Sequence, residues 1–277
     1  MVRSILFSLI ILFSFAILSI QTKKYHIFGE NDSSTSISSA NQRLLIDIDI
    51  YNRPYVLPYF LFQLEKFTCP CAQCYLDLRV YRVFNTPVEE ETHRLVEQWV
   101  STLKTSNQQV YTKITLHHWT NQTEQDQADR LNSVISRVSD LDITYLAMFD
   151  SMIILFEPEK LFSILISKDK PLMTPLLRST KGMYTSTFYL NNQQSTGYEA
   201  YQQIYDRKKL GCFLINGGIK DFYFFNFQYS QIRNVFLKTH TTQSIDLIAR
   251  QNSLPTYVCN REQFGYIPVQ YLEAVYD

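Results

Sequence analysis

Apolar residues recur along the chain at two spacings, one typical of strands and the other typical of helices. Leu44 to Ile50 is an apolar run interrupted only by aspartates, and Pro54 closes it, which predicts a strand. Leu57 to Phe67 repeats apolar residues at helical spacing. Strands are also predicted over 75–84, 143–149 and 222–225, and helices over 88–104, 120–139, 157–167 and 196–207. This alternation predicts an α/β fold with a mainly parallel sheet.

The first residues follow a different pattern. Arg3 precedes an apolar stretch from Ile5 to Ile20 that suits a signal peptide and is short for a helix crossing about 30 Å of hydrocarbon. No clean cleavage motif follows, so residues 1–22 are predicted to be either a signal peptide or an uncleaved signal anchor. The serine-rich residues 23–43 predict a flexible stalk, and residues 44–277 predict the folded domain. The folded domain is expected in the lumen of the secretory pathway or outside the cell.

Other local motifs agree with that compartment. Asn31 and Asn121 each begin an N-x-[ST] tripeptide and are candidate N-glycosylation sites. The chain has 5 cysteines, an odd number. Those at positions 69, 71 and 74 lack the second pair that a structural zinc site requires, so a local disulfide or free thiols are favoured over zinc.

Charge excludes one class of partner. The chain has 26 basic and 26 acidic side chains and no long basic run, so the clustered cations that neutralise nucleic-acid phosphates are missing. With 7 glycines, a glycine-rich phosphate-binding loop is also not expected. A membrane contact is predicted only through the N-terminal segment, if it stays uncleaved.

Four collinear segments resemble one known family. They are L-P-Y-F-L at 57–61, H-W-T at 118–120 followed by a helix and a strand ending at Asp150, G-C-F at 211–213, and V-C-N at 258–260 with F-G-Y at 264–266. The family is that of the procollagen galactosyltransferases, glycosyltransferase family 25, with its cerebral endothelial cell adhesion relative. The resemblance extends over about residues 44–270. It implies a GT-A fold, which is Rossmann-like and binds a UDP-sugar at the carboxyl ends of its strands.

The resemblance also implies a reaction, in which galactose passes from UDP-galactose to hydroxylysine in a collagen-like polypeptide in the endoplasmic reticulum lumen. Secretion and a type II membrane anchor remain alternatives to that location. Mn²⁺ held by a D-x-D pair would neutralise the diphosphate leaving group. Cys212 and Cys259 lie in the shared segments, and the sequence leaves open whether they form a disulfide or are buried as thiols.

The implied metal site is degenerate in this chain. The D-x-D triplet corresponds to Asp150-Ser151-Met152, so Asp150 is the sole surviving carboxylate. The thioether of Met152 suits copper(I) and not a hard, oxygen-preferring ion. On this basis, Met152→Asp is expected to raise metal-dependent nucleotide affinity if the remaining pocket is intact.

Other family positions depart too. The metal-binding histidine after G-C-F corresponds to Ile219, the D-H-N-x-D stretch to residues 86–90, and the helix cations to Thr123 and Leu131, with Arg130 beside the latter. The resemblance therefore implies a weak or inactive transferase with doubtful Mn²⁺ and UDP-sugar binding. The alternatives are a non-catalytic interaction or adhesion protein, and an active transferase with a displaced or metal-independent site.

Two further groups have structural interpretations. His117 and His118 are adjacent, and adjacent residues on a strand point to opposite faces. His118 precedes Thr120, a candidate cap of the following helix, so capping and packing are favoured over catalysis for this segment. The three glutamates at 89–91 are interpreted as the solvated start of a helix, where the helix dipole favours acidic residues.

Overall fold

The computed structural model describes residues 41–51, 54–82, 84–105, 110–119, 124–179, 197–215, 221–237 and 243–267. Outside this description lie the predicted signal segment, the stalk up to residue 40, Asn31, Asn121, Thr123 and Ile219. Within these ranges, no helix is both long enough and apolar enough to cross a membrane.

Strands and helices alternate through most of the described chain. The strands are β1 (Arg43–Ile50), β2 (Gln73–Tyr81), β3 (Lys113–Trp119), β4 (Tyr145–Asp150), β5 (Ile154–Leu155), β6 (Leu172–Pro175), β7 (Leu177–Ser179), β8 (Cys212–Ile215), β9 (Phe222–Asn226), β10 (Thr256–Cys259) and β11 (Gly265–Ile267). The helices are α1 (Leu57–Glu65), α2 (Pro87–Thr105), α3 (Glu124–Asp140), α4 (Leu161–Ser167), α5 (Gly197–Tyr205), α6 (Ser230–Phe236) and α7 (Ile245–Gln251), with a 3₁₀ turn over Pro158–Lys160.

The larger sheet has 8 strands in the order β3-β2-β1-β4-β9-β6-β10-β8. Its first four strands are parallel neighbours, and β10 is parallel to β6. Strand β9 runs antiparallel to β4 and β6, and β8 runs antiparallel to β10. Strands β5, β11 and β7 form a smaller sheet. The predicted α/β fold with a mainly parallel sheet is confirmed.

Alternate residues of β1 face two separate cores, because side chains on a strand point to opposite faces. Ile46 and Ile48 join a buried cluster with residues of α1, α2 and α4. Leu45 joins a second cluster, on the opposite face, with residues of α3, α6 and α7. Asp47 and Asp49 share the face of Leu45 and are 0% and 4% exposed. Buried carboxylates need partners, and β1 carries them to the carboxyl end of the sheet.

The predicted core strand over 222–225 is confirmed as β9. Phe222 and Phe224 belong to the first core and Phe225 to the second. Phe149 of β4 stacks on Phe222 with ring centroids 4.7 Å apart. An uninterrupted aromatic run suits a strand covered on both faces.

The prediction of a solvated start for α2 is wrong for Glu89. Its side chain is buried, and its carboxylate accepts hydrogen bonds from the backbone N–H groups of Phe84, at 3.0 and 3.1 Å, and of Thr86, at 3.0 Å. In return, the Glu89 N–H donates to Thr86 Oγ1 at 3.3 Å. This is a capping box, and its signature was already present as Thr-x-x-Glu at 86–89.

Replacing Glu89 with alanine is expected to lower the free energy of unfolding by about 1–3 kcal/mol, because two backbone donors lose their acceptor. Urea unfolding followed by circular dichroism measures the loss. Glu90→Ala is the matched control, since Glu90 is exposed on the same helical turn. Equal losses in the two variants would contradict the capping role.

Gly265 marks a close approach between β11 and β5. A Cβ at this position would collide with the carbonyl oxygen of Ile154. At Gly211 an added Cβ would meet only the Phe213 ring, at an ordinary 3.5 Å. The φ angles of Gly265 and Gly211 are nearly equal, at 158° and 152°. Any backbone strain that a side chain causes is therefore the same at the two positions.

Gly265→Ala is therefore expected to destabilise the protein by about 1–3 kcal/mol more than Gly211→Ala does, because the smaller sheet must open. Thermal unfolding of both variants, referred to the unsubstituted protein, measures this difference. Equal shifts in Tm would mean that β5 and β11 accommodate the methyl group without cost.

Two disulfides join segments of the described chain. Cys212 and Cys259 face one another across β8 and β10 and are bonded. Cys69 bonds to Cys74 at the start of β2, which leaves Cys71 as a thiol. Burial raises the pKa of Cys71 to about 11. A thiol with so high a pKa is a poor nucleophile at neutral pH.

Candidate functional site

Asp150, which the sequence predicts to be the surviving carboxylate of a D-x-D triplet, lies at the carboxyl end of the sheet. Asp150 is the last residue of β4 and is in register with Asp49 of β1. Its Oδ1 accepts a hydrogen bond from the backbone N–H of Met152 at 2.8 Å, which closes the turn after the strand. The N–H of Ser151 donates to the carbonyl oxygen of Asp49, also at 2.8 Å. One carboxylate oxygen of Asp150 therefore has a structural partner in the turn.

Met152 does not point toward that carboxylate site. Its side chain is 6% exposed and belongs to the first core, with Phe149 and Phe162. Among the described residues, no group of three or more histidine, cysteine, aspartate or glutamate donors gathers at this end of β4. The residues present do not fit the ligand set of a D-x-D-bound Mn²⁺, because the second position of the triplet lies in the core.

A buried ionic network lies beside Asp150 on the second face of the sheet. Arg130 of α3 contacts Asp49 Oδ2 at 2.6 Å and Asp47 Oδ2 at 3.3 Å. Arg79 of β2, whose side chain is fully buried, contacts Asp47 Oδ1 at 2.6 Å. Each guanidinium group of this network is therefore already paired with a carboxylate.

Burial opposes the charged forms of both Arg130 and Asp49. Burial raises the pKa of Asp49 to about 7, although the nearby Arg130 lowers it. For Arg130 burial lowers the pKa, but Asp49 and Asp47 outweigh it and hold the pKa above its ordinary value. Arg130 therefore remains a cation, and Asp49 depends on it for its own charge.

Two tyrosines end the neighbouring strands. The rings of Tyr51 and Tyr81 stack with centroids 4.7 Å apart and an interplanar angle of 13°. The Tyr81 hydroxyl donates to Asp49 Oδ1 at 3.0 Å. Burial and the Asp49 charge raise the pKa of both phenols, so both stay protonated at neutral pH. The stack adds an aromatic wall to the carboxyl end of β1 and β2.

The network continues toward the edge of the sheet. Arg137, two turns after Arg130 on α3, donates two hydrogen bonds to Asp77, each at 3.0 Å. His117 Nε2 lies 3.5 Å from the same carboxylate. Burial raises the pKa of Asp77, but the nearby His117 and the hydrogen bonds from Arg137 outweigh it and hold the pKa below its ordinary value. His117 is thus structural and faces away from His118.

Several sequence-based assignments change in this setting. Arg130, noted only as a neighbour of Leu131, is the residue that enters the site, whereas Leu131 is buried in the second core. Asp221 was missed. Extending the pairing of Phe149 with Phe222 by one residue places Asp221 opposite Asp150. The available signal was an aspartate directly before the aromatic strand.

The family relationship is shown by a match over most of the chain. The sequence profile of glycosyltransferase family 25, N-terminal domain, matches residues 41–275. The chain is similar to procollagen galactosyltransferase 2 of Mus musculus, with 22% identity over 240 residues that cover 79% of this chain. The chain spans only 37% of the length of that relative.

Solved structures give a weaker likeness. The S. aureus TarS fragment 1-349 in complex with UDP-GlcNAc aligns at a TM-score of 0.48 and 10% identity, covering 82% of this chain and 58% of that one. The same fragment in complex with UDP aligns at 0.48 and 12% identity, covering 82% and 61%. At this TM-score the likeness carries no argument about the site.

The family match and the mainly parallel sheet together confirm the predicted GT-A type of fold. The match includes β1, β4 and the turn with Asp150, so the departures described above lie inside the matched domain. The chain belongs to glycosyltransferase family 25, and residues 41–275 correspond to the N-terminal domain of that family.

Proposed function

We propose that this domain does not perform metal-dependent galactosyl transfer and instead acts as a non-catalytic binding domain in the secretory pathway. The observation that carries the proposal is the position of Met152 in the first core. A D-x-D pair offers two carboxylates to one cation only when both side chains face the ligand. Here Asp150 lies at the carboxyl end of β4, and Met152 is packed in the first core with Phe149 and Phe162.

The ion pairs of Arg130 support the same conclusion. A transferase that dispenses with a metal must supply positive charge to the leaving diphosphate from its own side chains. Arg130 is a cation beside the carboxyl end of β1, but it is bound to both Asp49 and Asp47. Releasing Arg130 would leave two buried carboxylates with less compensation, which is strongly unfavourable.

The rival proposal is an active, UDP-galactose-dependent transferase acting on a collagen-like polypeptide. The name of the mouse relative, procollagen galactosyltransferase 2, motivates it. The position of Asp221 opposite Asp150 also favours it, because a divalent ion can be held by one or two carboxylates together with substrate phosphates. The two proposals differ in whether Mn²⁺ increases nucleotide affinity.

Calorimetric titration of the full chain with UDP and UDP-galactose, with and without Mn²⁺, separates them. The non-catalytic proposal predicts no Mn²⁺-dependent gain in affinity and no UDP release with a hydroxylysine-containing collagen peptide. Micromolar, Mn²⁺-dependent binding would overturn it. In that case Asp150→Asn and Asp221→Asn should each abolish the Mn²⁺ effect, whereas Asp140→Asn, an exposed carboxylate at the end of α3, should not.

The secretory location is part of the proposal and rests on the apolar N-terminal stretch and on Asn31 and Asn121. Expression of the full chain in eukaryotic cells should give a product whose electrophoretic mobility increases after endoglycosidase treatment. Asn31→Gln and Asn121→Gln should each remove part of that shift. An unshifted product would place the domain outside the lumen, whatever its nucleotide affinity.

A further inference from the structure

A cluster of three metal-ligating side chains lies away from the Asp150 site. His93 and Glu97 are four residues apart on α2, so they share one helix face, and His118 is the penultimate residue of β3. One donor atom from each of the three lies within 4.8 Å of the others. We propose that His93, Glu97 and His118 form a zinc-binding site that is independent of the candidate nucleotide site at Asp150.

The two imidazoles are already close to the required separation. Nδ1 of His93 lies 3.1 Å from Nδ1 of His118, and the rings are nearly parallel, at 15°. Two nitrogens bound to one tetrahedral zinc ion at 2.0–2.1 Å are about 3.3 Å apart. In the metal-free form only one of the two Nδ1 atoms can hold the proton between them. A zinc ion would take a lone pair from both.

The ligand types favour zinc over the ions that the family fold implies. Two imidazole nitrogens and one carboxylate oxygen suit zinc and related transition ions, whereas Mg²⁺ and Ca²⁺ prefer all-oxygen sites. Three protein ligands leave a fourth tetrahedral position for water. Glu97 and His118 are exposed, so an ion reaches the cluster directly from solvent.

Nearby charges are compatible with a bound cation. Arg82 is the positive group that faces His93, and it pairs with Glu90 at 3.3 Å. Glu89 also faces His93, but its carboxylate caps α2. The carboxylate of Glu97, which belongs to the cluster itself, would balance part of the charge of a divalent ion. The structure forms the site by bringing the edge strand of the sheet against one turn of α2.

The cluster is separate from the candidate nucleotide site. Strand β3 is the edge of the sheet, and β2 and β1 lie between it and β4. With neighbouring strands 4.7–4.9 Å apart, the cluster lies roughly 14 Å from Asp150 across the sheet. Zinc binding is therefore expected whether or not the domain binds a UDP-sugar.

Zinc titration of the full-length, untagged, chelator-treated protein tests the proposal. We expect one equivalent of Zn²⁺ to bind and Co²⁺ to give the intense visible absorption of a four-coordinate site. His93→Ala and His118→Ala should each weaken Zn²⁺ binding by about 100-fold or more, since loss of an outer-shell partner alone costs about 10- to 100-fold.

The controls separate this site from other donors. Glu97→Gln should weaken Zn²⁺ binding, whereas Glu90→Gln, the same change at an exposed position of the same helix, should not. Asp150→Asn should leave Zn²⁺ affinity unchanged. Thermal unfolding without metal checks that each variant is folded. Unchanged Zn²⁺ affinity in folded His118→Ala or His93→Ala protein would overturn the proposal.

Discussion

Replacing Arg130 with methionine is expected to lower the free energy of unfolding by about 3–5 kcal/mol, the cost of removing one partner from a buried ion pair. Arg130 is the direct guanidinium partner of Asp49, at 2.6 Å, and a second partner of Asp47. Methionine keeps much of the aliphatic stem and removes the charge. Urea unfolding at several pH values measures the loss.

The loss should grow with pH. The folded-state pKa of Asp49, about 7, lies above its ordinary value of 3.8, so the folded state binds more protons than the unfolded state between these values. Stability from this group therefore falls as pH rises from about 4 to about 7 and is level above that. Without Arg130 the folded pKa rises further, so the fall continues above pH 7.

Arg94→Met is the control for this substitution. Arg94 is exposed on α2 and pairs with Glu91 at the surface, where ion pairs contribute little. It should show wild-type stability at every pH. A loss for Arg130→Met that is small and independent of pH would mean that Asp49 is already neutral, or reaches water, in the folded protein.

Introducing aspartate at Met152 is expected to destabilise the protein by at least about 3 kcal/mol, because it places a carboxyl group in an apolar core. The sequence alone predicted that this substitution would raise metal-dependent nucleotide affinity. The structure changes that expectation, since Met152 is packed with Phe149 and Phe162. Thermal unfolding and calorimetry with UDP and Mn²⁺ measure both effects.

Met152→Leu provides the comparison, because a volume-conserving apolar exchange in a core costs less than about 1.5 kcal/mol. If Met152→Asp were as stable as Met152→Leu and bound UDP with Mn²⁺, the turn after β4 would have to reverse and expose residue 152. That result would count against the burial of this position and would revive the transferase proposal.

Local pattern predicted the fold class and the strands β1, β2, β4 and β9, but it gave no bounds for the short strands β5 to β8, β10 and β11. The run of apolar residues at 44–50 and the aromatic run at 222–225 became β1 and β9, because a strand covered on both faces needs little polar surface. The prediction for the start of α2 was wrong for Glu89 because it applied a rule that holds for most glutamates. Glutamates are normally solvated, and only the contact with Phe84 and Thr86 buries Glu89.

The candidate sites were less predictable from the sequence. Asp221 is placed opposite Asp150 only by extending the antiparallel pairing of β4 and β9, two strands far apart in the chain, and no local spacing encodes that pairing. His93, Glu97 and His118 form a cluster only because β3 lies at the sheet edge beside α2. The adjacent residues His117 and His118 lie on opposite faces of β3, with His117 beside Asp77 and His118 beside His93.

The sequence by itself determined the fold class and the family, because periodicity and collinear motifs are properties of the chain alone, and the loss of one D-x-D carboxylate stays a prediction. Only the tertiary structure decided where the remaining groups point. Asp47 and Asp49 are neutralised by Arg79 and Arg130. Met152 belongs to a core, and the Nδ1 atoms of two histidines 25 residues apart in the chain lie 3.1 Å from one another. These outcomes depend on strand order and helix docking, which bring distant charges within a few ångströms of one another.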